Sequence, residues 1–260
     1  MGNIIEIFKV LCTFEAMKVV ILGSGNLGTQ LRYALLDAGH EILQVWHRNE
    51  KIVAGADVYI ICVKDDAINI VFSQIEQSGV LQTTPSPVVV HTAGSVPMGS
   101  LSGVLYPMQS FSKDKRVDFS EIPIFIEAAN ADAKKVIEEL ANSISQHVTE
   151  ADSETRKKLH LAAVFASNLS NHCYRLAEKL VEKEGLDFKL FGPLIRETAS
   201  KACIMSPKDA QTGPMRRGDK EVIKKQMAMI DDHLTREIYR LFAESISRDI
   251  SSCALPHAPL

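Results

Sequence analysis

Cysteine is sparse and scattered in this chain. Cys12, Cys62, Cys173, Cys203 and Cys253 are odd in number, and no two share a CxxC spacing. Neither a zinc site nor a disulfide scaffold is indicated, so no metal is expected, and reduced thiols in a cytoplasmic setting are. Long apolar runs are missing too, because no stretch approaches the roughly 18 residues of a membrane-crossing helix. Neither sign of charge prevails. The 29 Lys and Arg stand against 32 Asp and Glu, for a net charge of −3, which leaves no basic footprint for nucleic acid. No internal repeat or low-complexity segment stands out, which removes repeat architectures.

What remains is globular composition, 46% hydrophobic and 23% charged over 260 residues. That is enough for one large or two smaller cores. Residues 1–16 are apolar but carry Glu6 and Glu15, with no basic leader and no small-residue cleavage pattern. They do not read as a signal peptide, and Gly2 is not followed by the Ser or Thr of a myristoylation signal. They are expected to form an N-terminal extension, with Met17 a candidate natural start.

The informative stretch is residues 17–48, MKVVILGSGNLGTQLRYALLDAGHEILQVWHR. A β-branched run, Val19-Val20-Ile21, meets Gly23-Ser24-Gly25-Asn26-Leu27-Gly28. A helical pattern follows to Ala38, Gly39-His40 ends it, and a second strand starts near Glu41. This strand–GxGxxG–helix–strand unit is the dinucleotide-binding arrangement. Gly23 would permit the tight turn, Gly25 the approach of backbone to a pyrophosphate, and Gly28 the packing of helix on strand. Amide groups and the helix dipole at the new N-terminus would face the phosphates.

Further strands are expected over Asp57–Val63, Val88–His91, Val104–Tyr106, Ile122–Ile126 and Gln146–Val148. Helices are expected from Lys64 to Gln77 and from Ala131 to Ile144, with a loop at Thr83–Pro87. Only Asn49–Ala56 separates the second strand from the next, too few for a helix and a crossover strand. The second helix and third strand of the usual half are expected to be missing. From Asp152, an N-cap, everything reads as helix. The first has no Pro or Gly before Gly185 and would be about 50 Å long. Phe188–Met205, Lys220–Ile230 and His233–Ile250 follow, with an irregular linker at Ser206–Asp219. The fold class is thus α/β, a Rossmann-type parallel sheet at 17–151, then an all-helical domain at 152–250 and a frayed tail at 251–260.

An NAD site places Asp or Glu near the end of the second strand, roughly 20 residues beyond the glycines. Here His47 and Arg48 stand there. A guanidinium can grip a 2′-phosphate bidentately, so NADP is expected over NAD, and FAD has no second signature. Ligands lie outside the carboxyl ends of such strands. Three ends qualify: Val63-Lys64, Thr92-Ala93-Gly94-Ser95 after His91, and Tyr106-Pro107-Met108-Gln109-Ser110. Lys64 as a solvated helix start and His91 as a satisfied core histidine remain open alternatives. On the long helix, His160, Val164, Asn168 and His172 are spaced i, i+4, i+8 and i+12 and would share one face. Function or an interhelical hydrogen bond would explain these polar groups. In the linker, Arg216 and Arg217 beside Thr212-Gly213-Pro214 would suit a carboxylate or phosphate, or simply a solvated loop.

The segments VVILGSGNLG, VHTAGSVPM, YPMQSFSK, EADSETRKKLHLAAVFASNLSNH and QTGPMRRGD resemble a family of Rossmann-like NADP oxidoreductases whose helical C-terminal half is a domain of unknown function. The family is related to pyrroline-5-carboxylate reductase and the coenzyme-F420-dependent NADP reductases, with a helical half similar to the C-terminal domain of 6-phosphogluconate dehydrogenase. The resemblance spans Met17 to about Asp249. It implies a homodimer whose helical domain completes the site.

The expected function is NADPH-dependent reduction of a small C=N or C=O substrate. Ser95, Gln109 and Arg217 would bind substrate, while Asn168 and His172 would be catalytic, with His91 a rival proton donor. A β-hydroxyacid dehydrogenase needs a lysine on the long helix, where the nearest are Lys158 and Lys179. An NADP sensor or scaffold without turnover is the non-enzyme alternative.

Overall fold

The computed structural model describes residues 15–82 and 86–251. Most of the expected N-terminal extension, of the 83–87 loop and of the tail falls outside the described residues. The chain divides into two compact units, one running to Leu169 and one from Ser170.

The first unit is a seven-stranded sheet ordered β2-β1-β3-β4-β5-β6-β7. Its strands are β1 (Lys18–Leu22), β2 (Glu41–Trp46), β3 (Val58–Ile61), β4 (Val88–His91), β5 (Gly103–Pro107), β6 (Ile124–Ala128) and β7 (Val148–Glu150). Its helices are α1 (Asn26–Asp37), α2 (Ile68–Gln77), α3 (Ala131–Ile144) and α4 (Ser153–Val164). Strand residues alternate between two core layers, as a period of two requires. Val19 and Ile21 pack with α1 and α3, through Leu31, Leu35, Ile137 and Leu140. Val20 and Leu22 pack with α2, through Ile68, Val71 and Ile75. Strands covered on both faces read as continuous apolar runs, and β1, β3 and β4 do.

The expectation of a missing helix and strand agrees with the structure. No helix lies between β2 and β3, and β2 is the edge of the sheet. The connecting loop covers the face that a helix would cover. It buries Ile52 and Ala56 beside Trp46, and the Tyr59 hydroxyl donates to the Val53 carbonyl at 2.8 Å. Gln44 holds the loop twice, donating to the Lys51 carbonyl and accepting from the Val53 amide.

The sheet departs from the fully parallel expectation at one place, where β5 and β6 pair antiparallel and β6 and β7 parallel. Residues 108–123 contain no helix, so the chain re-enters the sheet at the end it left. The next return is made by α3, whose Asn130 cap accepts from the Ala133 amide, and β7 is parallel to β6.

Asp152 caps α4 as its sequence position suggested, accepting from the Thr155 amide at 2.7 Å. A π turn, Phe165–Leu169, follows. A turn closed i to i+5 does not keep an i+4 repeat. The equal spacing that put His172 on the stripe of His160, Val164 and Asn168 is therefore interrupted, and this corrects the sequence argument.

The second unit contains α5 (Ser170–Lys183), a 3-10 turn (Phe188–Phe191), α6 (Gly192–Ile204), α7 (Pro207–Ala210), α8 (Pro214–Arg217), α9 (Lys220–Ala228) and α10 (His233–Ser251). The linker expected to be irregular thus holds two single helical turns. Among the described residues of this unit, only Ile230 and Ala243 are buried apolar side chains.

Candidate functional site

The three motif glycines occupy three different environments. Gly23 has φ +122°, and a Cβ there would collide with the Cys62 carbonyl oxygen. A Cβ at Gly28 would collide with the Gly23 carbonyl oxygen, so α1 packs directly on the turn. Gly25 has nothing within 4 Å of a built Cβ. It is the N-cap of α1, with no side-chain cap and no acidic residue in the first turn. The open space, the bare backbone and the uncapped helix start fit a pyrophosphate. The Asn26 side chain is otherwise engaged, donating from Nδ2 to the Phe111 carbonyl at 3.0 Å.

Beside this loop lies a cleft of about 760 Å³, lined by Gly23, Ser24, His47, Arg48, Val63 and Lys64 among others. At its rim the Glu50 carboxylate accepts from the His47 amide at 2.9 Å and faces the His47 ring at 3.5 Å. Asn49 turns the chain with φ 73°. Arg48 is exposed, and among the described residues it makes no ion pair or side-chain hydrogen bond. Lys64 is exposed as well, at the N-cap of the 3-10 turn Asp65–Ala67 that leads into α2.

The loop after β4 is held by its own polar groups. Thr92 is buried and donates to the Ile61 carbonyl at 3.2 Å. Ser95 donates to the Asp65 carboxylate, tying this loop to the one after β3. His91 is fully buried, accepting from the Ala93 amide at Nδ1 and meeting the Pro97 carbonyl at Nε2. Burial first, and the Arg156 charge second, bring its pKa down to about 4. This is the satisfied core histidine, not the rival proton donor. Burial likewise pushes the Cys62 thiol up to about 12, which leaves it unreactive.

Arg156 of α4 is fully buried. It pairs with Glu127 of β6 through Nη1 and donates from Nη2 to the Val96 carbonyl at 2.6 Å. Its Nε has no hydrogen-bond partner. Ser153 donates to the same carboxylate at 2.9 Å. This network fastens the start of α4 to the sheet and to the loop after β4.

One turn further along α4, His160 meets Tyr106 of β5, with the hydroxyl 3.0 Å from Nδ1 and the rings edge to face. Both line a pocket of about 390 Å³ with Gln109, Ser110, Ser167 and Asn168. A Cβ on Gly94 would stand 2.6 Å from His160 Nδ1 and 2.8 Å from Tyr106 Cζ. Gly94 is therefore the residue that lets loop, strand and helix converge. The sequence marked the Tyr106 strand end and placed His160 on the stripe, but it did not pair them. Only the absence of a side chain at Gly94 hinted at close approach.

The structure brings Gln109, Gly94 and Asn168 into this neighbourhood. His172 and Arg217 belong to the second unit, and both are exposed. Arg217 pairs with Asp219 at 2.8 Å. Arg216 donates instead to three carbonyls, those of Lys208, Asp209 and Gln211, and so closes its own loop.

Residues 122–246 match a family described as a domain of unknown function, DUF2520. A "putative NADP oxidoreductase" from Bacteroides fragilis is 39% identical over 91% of this chain and 100% of that one, with a TM-score of 0.81. Pyrroline carboxylate reductase of Plasmodium falciparum, solved with NADP bound, is 15% identical over 91% of this chain and 99% of that one, at 0.51. An imine reductase from Myxococcus stipitatus in complex with NADP+ is 15% identical over 91% and 93%, at 0.55. These two share the fold. No curated protein matches the sequence. At the identity and coverage of the Bacteroides protein, the chain belongs to that family of Rossmann-fold NADP oxidoreductases, with the DUF2520 region in its C-terminal part.

Proposed function

We propose that the protein reduces a small C=N or C=O substrate with NADPH, as a cytoplasmic homodimer. The observation that carries this reading is the glycine loop, where the only motif position with free Cβ space is the one that must meet a pyrophosphate. Ser24, Gly25, Asn26, Leu27 and Gly28 would hold the pyrophosphate with backbone amides, around the turn made by Gly23, whose own amide donates to the Trp46 carbonyl at 3.2 Å. Val63, Lys64, Thr92, Ala93 and Gly94 would form the wall along the strand ends. His47 and Arg48 would take the 2′-phosphate, because the nearby carboxylate of Glu50 is already held by His47. The bound cofactor supplies the hydride, and the protein positions the substrate and manages the proton.

Ser95 and Gln109 would contact substrate, with Asn168, which also lines the pocket, orienting it. The names of the pyrroline carboxylate and imine reductases that share this fold favour a C=N bond. Among the described residues no lysine lines the pocket, which disfavours a β-hydroxyacid dehydrogenase. Leu190, Leu194, Ile204, Met229 and Leu234 are more than half exposed on the second unit. Apolar surface of this extent suits a twofold interface.

Calorimetric titration with NADPH, followed by cofactor oxidation across imines and keto acids, tests the reading. The parent protein should bind NADPH and reduce at least one imine. Gly25→Val should abolish binding while leaving Tm unchanged, because its side chain meets solvent space rather than protein. A parent that binds no NADPH at millimolar concentration overturns the assignment, and binding without turnover identifies a sensor.

A further inference from the structure

We infer that Tyr106 and His160 form the proton-donating pair of this enzyme, Tyr106 the catalytic acid and His160 its source of protons. The inference rests on the reductase reading above and assigns the proton step that the reading leaves open. The Tyr106 hydroxyl is 3.0 Å from His160 Nδ1, and both residues line the same small pocket. That pocket lies where β5 ends, on the side of the sheet where ligands of such folds collect.

The rest of the surroundings suits a relay. Tyr106 is 8% exposed and its ring stacks on Phe125, so the phenol is held at one angle. Burial holds its pKa above the ordinary value, against a smaller opposite effect of Arg156. The hydroxyl therefore keeps its proton at neutral pH. His160 is half-buried, and among the described residues its Nε2 has no hydrogen-bond partner. The chain of atoms runs from pocket to Tyr106 hydroxyl to Nδ1 to Nε2. Gly94 lies against both rings and adds no bulk.

The step balances as follows. The substrate carbon gains the hydride, and the former double-bond pair moves to nitrogen or oxygen. That atom takes the phenolic proton of Tyr106. The phenolate oxygen regains a proton from Nδ1 of the His160 imidazolium, and the imidazole is reprotonated by solvent. With His160 neutral and protonated at Nε2, the Tyr106 hydroxyl instead donates to Nδ1 and is turned away from substrate.

Tyr106→Phe keeps the ring and its packing. In the protein without cofactor, the variant should shift the imidazole ¹⁵N signals of His160. In the NADPH-loaded enzyme it should lower kcat by about 10²–10⁴ with unchanged NADPH affinity. His160→Asn should lower kcat as well, with the KM for substrate and the NADPH affinity unchanged. Unshifted His160 signals, or a kcat within threefold of the parent, overturn the inference. So does a fall in kcat in His172→Ala that Tyr106→Phe does not show. A parent that reduces no substrate is the distinct outcome in which the reductase reading itself fails.

Discussion

The two units of this protein have similar proportions of hydrophobic residues and use them in opposite ways. In the first, Val19, Val20, Ile21, Leu22, Ile60 and Ile61 are wholly buried, and each sheet face has its own apolar layer. In the second, large apolar side chains such as Met229 and Ile204 are about three-quarters exposed, at 77% and 75%. A sheet covered by helices on both faces satisfies itself within one chain. The helical unit leaves such apolar side chains at the surface of the single chain. Polar links also join the helices of the second unit. Lys183 meets Asp231 at 2.7 Å, Tyr239 donates to Gln226 at 2.6 Å, and Arg236 caps the Ile230 carbonyl. Exposed ion pairs of that kind add little stability.

The largest effect should come from attacking this contrast where it is greatest. Leu194→Asp combined with Leu234→Asp should halve the mass measured by light scattering at micromolar concentration. The first unit should keep its NADPH binding. An unchanged mass would mean that these exposed faces form no interface between copies of the chain.

In the self-sufficient unit the most costly change is to its buried charge. Arg156→Ala leaves the Glu127 carboxylate, 18% exposed, without its cation. Breaking such a pair costs about 3–5 kcal/mol, which chemical denaturation should detect. The double variant Arg156→Met with Glu127→Leu should recover most of the loss, since an apolar pair has no unmatched charge.

His91 offers a pH test of the same core. Its pKa is about 4 in the native state and near 6.5 in the unfolded chain. Because the native value is depressed, its contribution to stability is complete above pH 6.5 and is lost as pH falls toward 4, where the unfolded chain takes up a proton and the native state does not. The loss should reach about 3 kcal/mol. A His91→Gln variant should show a flatter stability curve across that window, and identical slopes would remove His91 as the cause.

The smallest effect concerns the cofactor. NADPH should bind more tightly than NADH, and Arg48→Ala should narrow the ratio by roughly tenfold. Equal affinities in the parent would leave Arg48 an ordinary surface residue.

Much of the first unit was legible in the chain because its determinants are local. Val19-Val20-Ile21, the glycine spacing, Asp152 before Ser153 and Asn130 before Ala131 each state a strand, turn or cap within a few residues. The shortness of 47–57 also disclosed an absence, since a crossover with a helix needs more chain. The reversal of β6 was less legible. It follows from how residues 108–123 travel, and no period in that stretch records it. The π turn escaped for a related reason. Phe165–Leu169 reads as ordinary helix, and only the backbone shows the widened turn that interrupts the His172 spacing.

The sequence by itself determined the nucleotide-binding unit, its shortened edge, the helical second half and the chemistry of the glycine loop. All of these depend on backbone preference and on apolar period over short spans. Tertiary structure alone decided which polar groups meet. It buried His91 and Arg156, seated Gly94 against two aromatic side chains, and set Tyr106 of β5 beside His160 of α4. Residues more than fifty positions apart carry no local sign of their partners, and their meeting depends on how strand and helix cross in three dimensions.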